Sequence, residues 1–154
     1  LQSPLLDAIC RQSLWKYGLD YRHGTGHGVG FALNVHEGPQ VLSYYAPVTE
    51  HTRLREGMIL SNEPGLYHAG QYGIRIENLV VNQLKPLAEH DYGEFLEFET
   101  LTLCPIHLDP IDLSLLDDSE KKWLNQYHQM VFERLSPSLK GDVLDWLTHH
   151  TRAI

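Results

Sequence analysis

The sequence predicts an α+β chain in which helices flank a mixed, curved sheet and a helical region closes the C-terminal end. Three observations predict it. Apolar residues recur at helical spacing near the N-terminus and again after residue 117. Strand-like patterns occupy 58–62, 73–81 and 95–103, the last two by alternation and the first as a short apolar run. Gly and Pro punctuate the stretches between these elements.

In order, Ser3-Pro4 opens a helix, with Ser3 as cap and Pro4 at the first helical position. Leu6, Ile9, Cys10, Leu14 and Tyr17 form its apolar stripe, and Gly18 ends it. A glycine-rich turn, Tyr21-Arg22-His23-Gly24-Thr25-Gly26-His27-Gly28-Val29-Gly30, leads to an expected strand at 29–35. His36-Glu37-Gly38-Pro39 is a turn, 40–47 a short extended piece and 50–57 polar and turn-like. The strand at 58–62 runs into Glu63-Pro64-Gly65. Along 73–81, Arg75 and Glu77 share a face, and 82–93 is a connection. Glu97 and Glu99 alternate with Leu96 and Phe98, as on a solvent-facing edge strand. After an irregular stretch at 104–116, Asp117 and Glu120 form a capping box for a helix carrying Leu124, Tyr127, Val131 and Leu135 inward. A last helix starts near Gly141.

The composition is that of a globular chain: 154 residues, 42% hydrophobic, 21% charged, formal net charge −8. No Lys/Arg run exists to track phosphates, so nucleic acid is not an expected partner. No apolar run approaches a membrane span. Cys10 and Cys104 match no metal or redox spacing and are expected to be reduced and buried, as in a cytoplasmic protein. The length suits one domain or a piece of a larger one.

The chemistry concentrates in three places. His23 and His27 stand four apart, but the glycines around them exclude a helix and require a sharp or closely packed backbone. His36 follows, and Glu63 and Glu77 sit in turn-like and strand motifs downstream. If His27, Glu63 and Glu77 bind one cation, one imidazole and two carboxylates suit Mn²⁺, Zn²⁺, Co²⁺ or Fe²⁺. A bridging carboxylate would allow two ions roughly 3.5 Å apart with a hydroxide between them. His23 and His36 would then donate hydrogen bonds to a substrate, with Arg75 and Tyr67 tying down a carboxylate ligand. The donor set is short for two ions: upstream of His23 only Asp7 and Asp20 are available, and neither belongs to a strand pattern aimed at the site.

His23-Gly24-Thr25-Gly26-His27-Gly28-Val29-Gly30, Asn34 to Pro39, Ser61 to Tyr67 and Tyr72 to Asn78, in that order, resemble the aminopeptidase P branch of the pita-bread metallopeptidases. The resemblance covers about residues 1–104 as the second half of the catalytic domain, with 105–154 as the branch's C-terminal helical extension. It implies metal ligands at His27, Glu63 and Glu77, with Glu77 bridging two ions and Glu63 also taking a proton from the attacking water. It implies substrate contacts for His23 and His36, Mn²⁺ as the usual ion, and release of an N-terminal residue preceding proline by a metal-bridged hydroxide. Its other two ligands are aspartates on strands preceding this region. The chain is therefore expected to be a fragment that binds one ion or none, is inactive alone and self-associates as a dimer. A prolidase-like dipeptidase fragment and a non-catalytic module of the same fold are the alternatives.

Overall fold

The computed structural model describes residues 2–32, 34–87 and 91–154. It divides into two compact units, Leu1–Thr102 and Leu103–Ile154.

The first unit begins with α1 (Ser3–Trp15). Short β1 (Gly26–His27) pairs antiparallel with β2 (Val41–Leu42). Then come β3 (Ile59–Asn62), β4 (Gly65–His68), β5 (Tyr72–Arg75), β6 (Asn78–Leu84) and β7 (Leu96–Thr100). These form a three-stranded sheet in the order β3-β6-β7 and a β4-β5 hairpin, every pair antiparallel. Gly28 bridges to Leu60, which joins the β1 segment to β3. Leu42, Leu60 and Val80 are the buried centre, with Leu6, Leu54 and Met58 against them.

The pattern at 73–81 is two strands rather than one. β5 and β6 belong to different sheets, and Ile76-Glu77 lies between them. Pro64 supplies the physical reason. It has no N–H to give a ladder, so pairing stops at Glu63-Pro64. The register is unbroken across the gap: Asn62 pairs with Asn78 and Gly65 with Arg75. Glu63 and Glu77 therefore occupy opposed positions in the interval where no pairing is made.

Four further expectations are corrected. The strand predicted at 29–35 is absent among the described residues, Leu33 lying outside them; the pairing falls earlier, at Gly26–His27. Beyond it the backbone closes into a loop, with Gly28 N–H donating to the Gln40 carbonyl, Glu37 N–H to that of Gly28 and Gly30 N–H to that of Asn34. The connection expected at 82–93 begins as strand, since β6 runs to Leu84; residues 88–90 of it are outside the described set. Gln2, not Ser3, is the cap position of α1, and the Ser3 hydroxyl donates to the Val41 carbonyl instead. Finally, α1 buries Ser3, Asp7 and Arg11, while Ile9, Cys10 and Tyr17 are exposed. Helical spacing located the helix but not its inner face, because Asp7 and Arg11 find a full set of partners inside. Cys10 is exposed as a consequence, and Cys104 is exposed too, on the extended stretch after β7.

Glu97 and Glu99 are exposed, with Glu97 3.4 Å from the Lys85 ammonium. In the second unit, α2 (Asp118–Leu135) carries the expected capping box between Asp117 and Glu120, and α3 is Asp142–His150. Tyr127, Val131 and Leu147 form its core. No helix among the described residues is long and apolar enough to cross a membrane.

Candidate functional site

Backbone contact between β1 and β3 makes the site. Gly26 lies so close to β3 that a Cβ there would stand 1.9 Å from the Ser61 carbonyl oxygen, which only glycine tolerates. Thr25 accepts a hydrogen bond from Glu63 N–H at 2.7 Å, and His27 N–H donates to Ser61 Oγ at 3.0 Å. Ser61 Oγ in turn donates to Glu63 Oε1 at 2.9 Å. Adjacent strands thus hold His27 and Glu63 in fixed relation, with Glu63 buried.

The result is a contact of unusual chemistry. His27 Nδ1 lies 3.0 Å from the Gly28 carbonyl, which can only accept, so Nδ1 carries the hydrogen. In the neutral ring Nε2 then has a bare lone pair, and it faces Glu63 Oε1 at 3.1 Å. Two bare acceptors repel at this distance, so the contact calls for a proton on one of them or a cation held by both. The spacing suits adjacent ligands of one ion, since bonds of about 2.1 Å at a right angle put their ends about 3.0 Å apart. Fixing Nδ1–H to a carbonyl is also how metal-binding histidines are commonly oriented.

Around this pair stand the other candidates. Glu63 Oε2 is 3.4 Å from Arg75 Nη1. Arg75 Nε donates to Tyr67 Oη at 2.8 Å, and this bond leads the interactions that raise the guanidinium pKa above its already high value. Tyr67 Oη is 2.8 Å from His23 Nε2, and His23 Nδ1 is 2.8 Å from the Gly24 carbonyl. Since that carbonyl only accepts, Nδ1 of His23 carries a hydrogen, and its Nε2 shares a hydrogen bond with the tyrosine hydroxyl. The His36 ring packs on His27, centroids 4.1 Å apart.

His23, His27, His36, Glu63, Tyr67 and Arg75 therefore form one connected group. Glu77 is exposed in the gap opposite Glu63 and interacts electrostatically with Arg75. Among the described residues, no three His, Cys, Asp or Glu side chains cluster closely enough to hold a metal ion. Two of the three expected donors thus converge, and the third shares their register without joining them. Arg75 supplies positive charge near both carboxylates.

Sequence reasoning missed four participants. Ser61 orients both His27 and Glu63; its sign was a hydroxyl two residues before the glutamate. Asp7, Arg11 and Thr25 are buried behind the glycine-rich turn. The sign there was an acid and a base spaced i,i+4 on a helix, a spacing more often found on solvated faces.

These features define the class of the chain, and comparison with known proteins agrees. Residues 4–83 match the model of metallopeptidase family M24, and residues 94–154 that of the C-terminal region of peptidase M24. The chain belongs to metallopeptidase family M24. It is 51% identical over 154 residues to a probable Xaa-Pro aminopeptidase P of Coprinopsis cinerea, covering 97% of this chain and 24% of that protein. It is 51% identical over 153 residues to aminopeptidase P2 of Arabidopsis thaliana, covering 97% of this chain and 21% of that protein. The structure superposes on X-prolyl aminopeptidase from Caenorhabditis elegans, described as a cytosolic enzyme with a di-nuclear active site. The TM-score is 0.88 at 40% identity, over 100% of this chain and 25% of that one. The fold is thus part of the pita-bread aminopeptidase fold, and the chain spans about a quarter of the length of these relatives.

Proposed function

We propose that this chain carries one wall of the active centre of a metal-dependent Xaa-Pro aminopeptidase, acting on peptides with proline at the second position. The observation that carries the reading is the pair of acceptors, His27 Nε2 and Glu63 Oε1, at 3.1 Å. His27 and Glu63, with Glu77 from the opposed position, would hold divalent metal, Mn²⁺ in the first instance and Zn²⁺ or Co²⁺ as alternatives. Such an ion polarises a peptide carbonyl and lowers the pKa of a water. Glu63 would accept a proton from the attacking water. Ser61 and Arg75 keep its carboxylate turned toward His27. His23 and His36 contact the substrate. To reach a substrate through Nε2, His23 has to give up its hydrogen bond with Tyr67.

The chain alone is inactive in this reading, because His27, Glu63 and Glu77 are too few donors for two ions, and it holds one ion or none. Residues 1–104 are the catalytic portion and 105–154 the helical extension. The names of the relatives at 51% identity support the aminopeptidase over a prolidase-like dipeptidase, and the intact His27–Glu63 pair favours it over a non-catalytic module. Exposed Ile74, Phe95 and Phe98 support self-association as a dimer. The worm relative supports a cytoplasmic location.

The test is hydrolysis of an Xaa-Pro peptide by the purified 154-residue chain with Mn²⁺, alongside a longer polypeptide that contains it. We expect no turnover from the chain alone and turnover from the longer protein that is lost in Glu63→Gln. Turnover by the short chain overturns its inactivity; full activity of the Glu63→Gln longer protein overturns the role of the site.

A further inference from the structure

Behind the glycine-rich turn lies a charged pair that the proposed chemistry does not use. Asp7 and Arg11 of α1 both have 0% side-chain exposure, and Arg11 Nε donates to Asp7 Oδ2 at 3.0 Å. Burying an ion pair is a poor source of stability, since desolvation offsets most of the attraction, and apolar residues of similar size do as well or better. A pair kept at such a site calls for a specific role, and its hydrogen bonds indicate one.

Arg11 points its fork along one short piece of backbone. Nη1 donates to the Tyr21 carbonyl at 2.6 Å and to Asp20 Oδ1 at 2.8 Å. Nη2 donates to the His23 carbonyl at 2.5 Å. The guanidinium sits between the rings of Tyr21 and Tyr44, 3.9 Å and 4.7 Å from their centroids. Asp7 completes the frame. Its Oδ1 accepts from the Thr25 hydroxyl, which also bonds the Tyr21 hydroxyl, and its Oδ2 accepts from Tyr44 N–H at 2.8 Å. Two carbonyls two residues apart are thereby fixed, so His23 keeps only its side-chain torsions. Its ring, packed 4.9 Å from that of Tyr21, then meets Tyr67. His27 is held otherwise, by Ser61 and by pairing with Val41.

We infer that Arg11, oriented by Asp7, is a positioning residue that sets the His23 backbone so that the His23 imidazole meets Tyr67, independently of the fixing of His27. The value of that position to catalysis rests on the function proposed above. Only a planar fork spans both carbonyls; a lysine at position 11 keeps the charge beside Asp7 but reaches one carbonyl at a time.

The experiment is NMR of the metal-free 154-residue chain, uniformly labelled with ¹³C and ¹⁵N, comparing wild type, Arg11→Lys and Arg11→Met. The readout is the cross-relaxation between the His23 and Tyr67 rings, whose centroids are 5.5 Å apart edge to face. We expect Arg11→Lys to retain the β3-β6-β7 amide shifts and the His27–Ser61 cross-peaks. The His23–Tyr67 cross-peaks should fall below half of wild type in Arg11→Lys and vanish in Arg11→Met. Undiminished His23–Tyr67 cross-peaks in a folded variant overturn the inference. So does equal loss at His27, or failure of both variants to fold, since either makes the pair a general requirement of the fold. No metal or substrate enters this measurement, so failure of the proposed enzymatic function shows separately, in the turnover assay.

Discussion

Replacing Gly26 with alanine tests how the site is built. The new methyl carbon would start 1.9 Å from the Ser61 carbonyl oxygen and 2.9 Å from its carbon. Real contacts do not go below 3.0 Å, so β1 and β3 must part by at least about 1 Å. Both contacts are with backbone, and no side chain can rotate away. Overpacking of this kind costs about 1–3 kcal/mol. The retreat also stretches the two hydrogen bonds that tie the strands, His27 N–H to Ser61 and Glu63 N–H to Thr25, at about 1 kcal/mol each. We expect a loss of about 3–5 kcal/mol, which is a factor of about 150 to about 4,000 in an opening equilibrium. Amide exchange at Glu63 reads this directly, because its N–H is one of the two bonds. A Gly26→Ala chain with wild-type protection at Glu63 would refute the close approach and the His27–Glu63 geometry built on it.

Further expectations concern the two units separately. Leu60 is completely buried between Leu42 and Val80, so Leu60→Ala should destabilise the first unit by about 3 kcal/mol in urea denaturation. Asp117→Ala removes the reciprocal cap of α2 and should cost about 1 kcal/mol, read as faster exchange in the first turn of that helix. In the second unit burial holds the His128 imidazole below its ordinary pKa, and its Nε2 accepts a hydrogen bond from the Ile106 N–H at 3.1 Å. The unfolded chain takes up that proton near pH 6.5 while the folded one resists until lower pH. This contribution to stability is therefore full above about pH 6.5 and declines as the pH falls toward the folded pKa. The slope is at most about 1.4 kcal/mol per pH unit. Denaturation curves between pH 7.5 and 5 should show it in wild type and not in His128→Gln.

The legible parts of the sequence were those governed by local rules. The capping box at Asp117 and Glu120 formed as read, because its partners are three residues apart. The strand-like character of 58–62 and 73–81 was read as well, whereas the opposition of Glu63 and Glu77 was not, since it follows from a hairpin around Gly70. What could not be read was set by distant partners. The inner face of α1 is polar because Asp7 and Arg11 are satisfied by residues 20–25 and 44, which helical spacing does not reveal. The strand expected at 29–35 gave way to a loop because Gly28 and Gly30 bond to residues 37, 40 and 34 within it. Of the expected donors, His27 and Glu63 come together, while Glu77 shares their register without joining them.

One measurement bears most directly on the proposal that His27 and Glu63 share a cation. Mn²⁺ is titrated into the 154-residue chain and free ion is followed by electron paramagnetic resonance, beside His27→Ala and Glu63→Gln variants of confirmed fold. We expect the wild-type chain to take up no more than one ion, weakly, and each variant to lose that uptake at least tenfold. Uptake unchanged in both variants would contradict a metal centre on these residues.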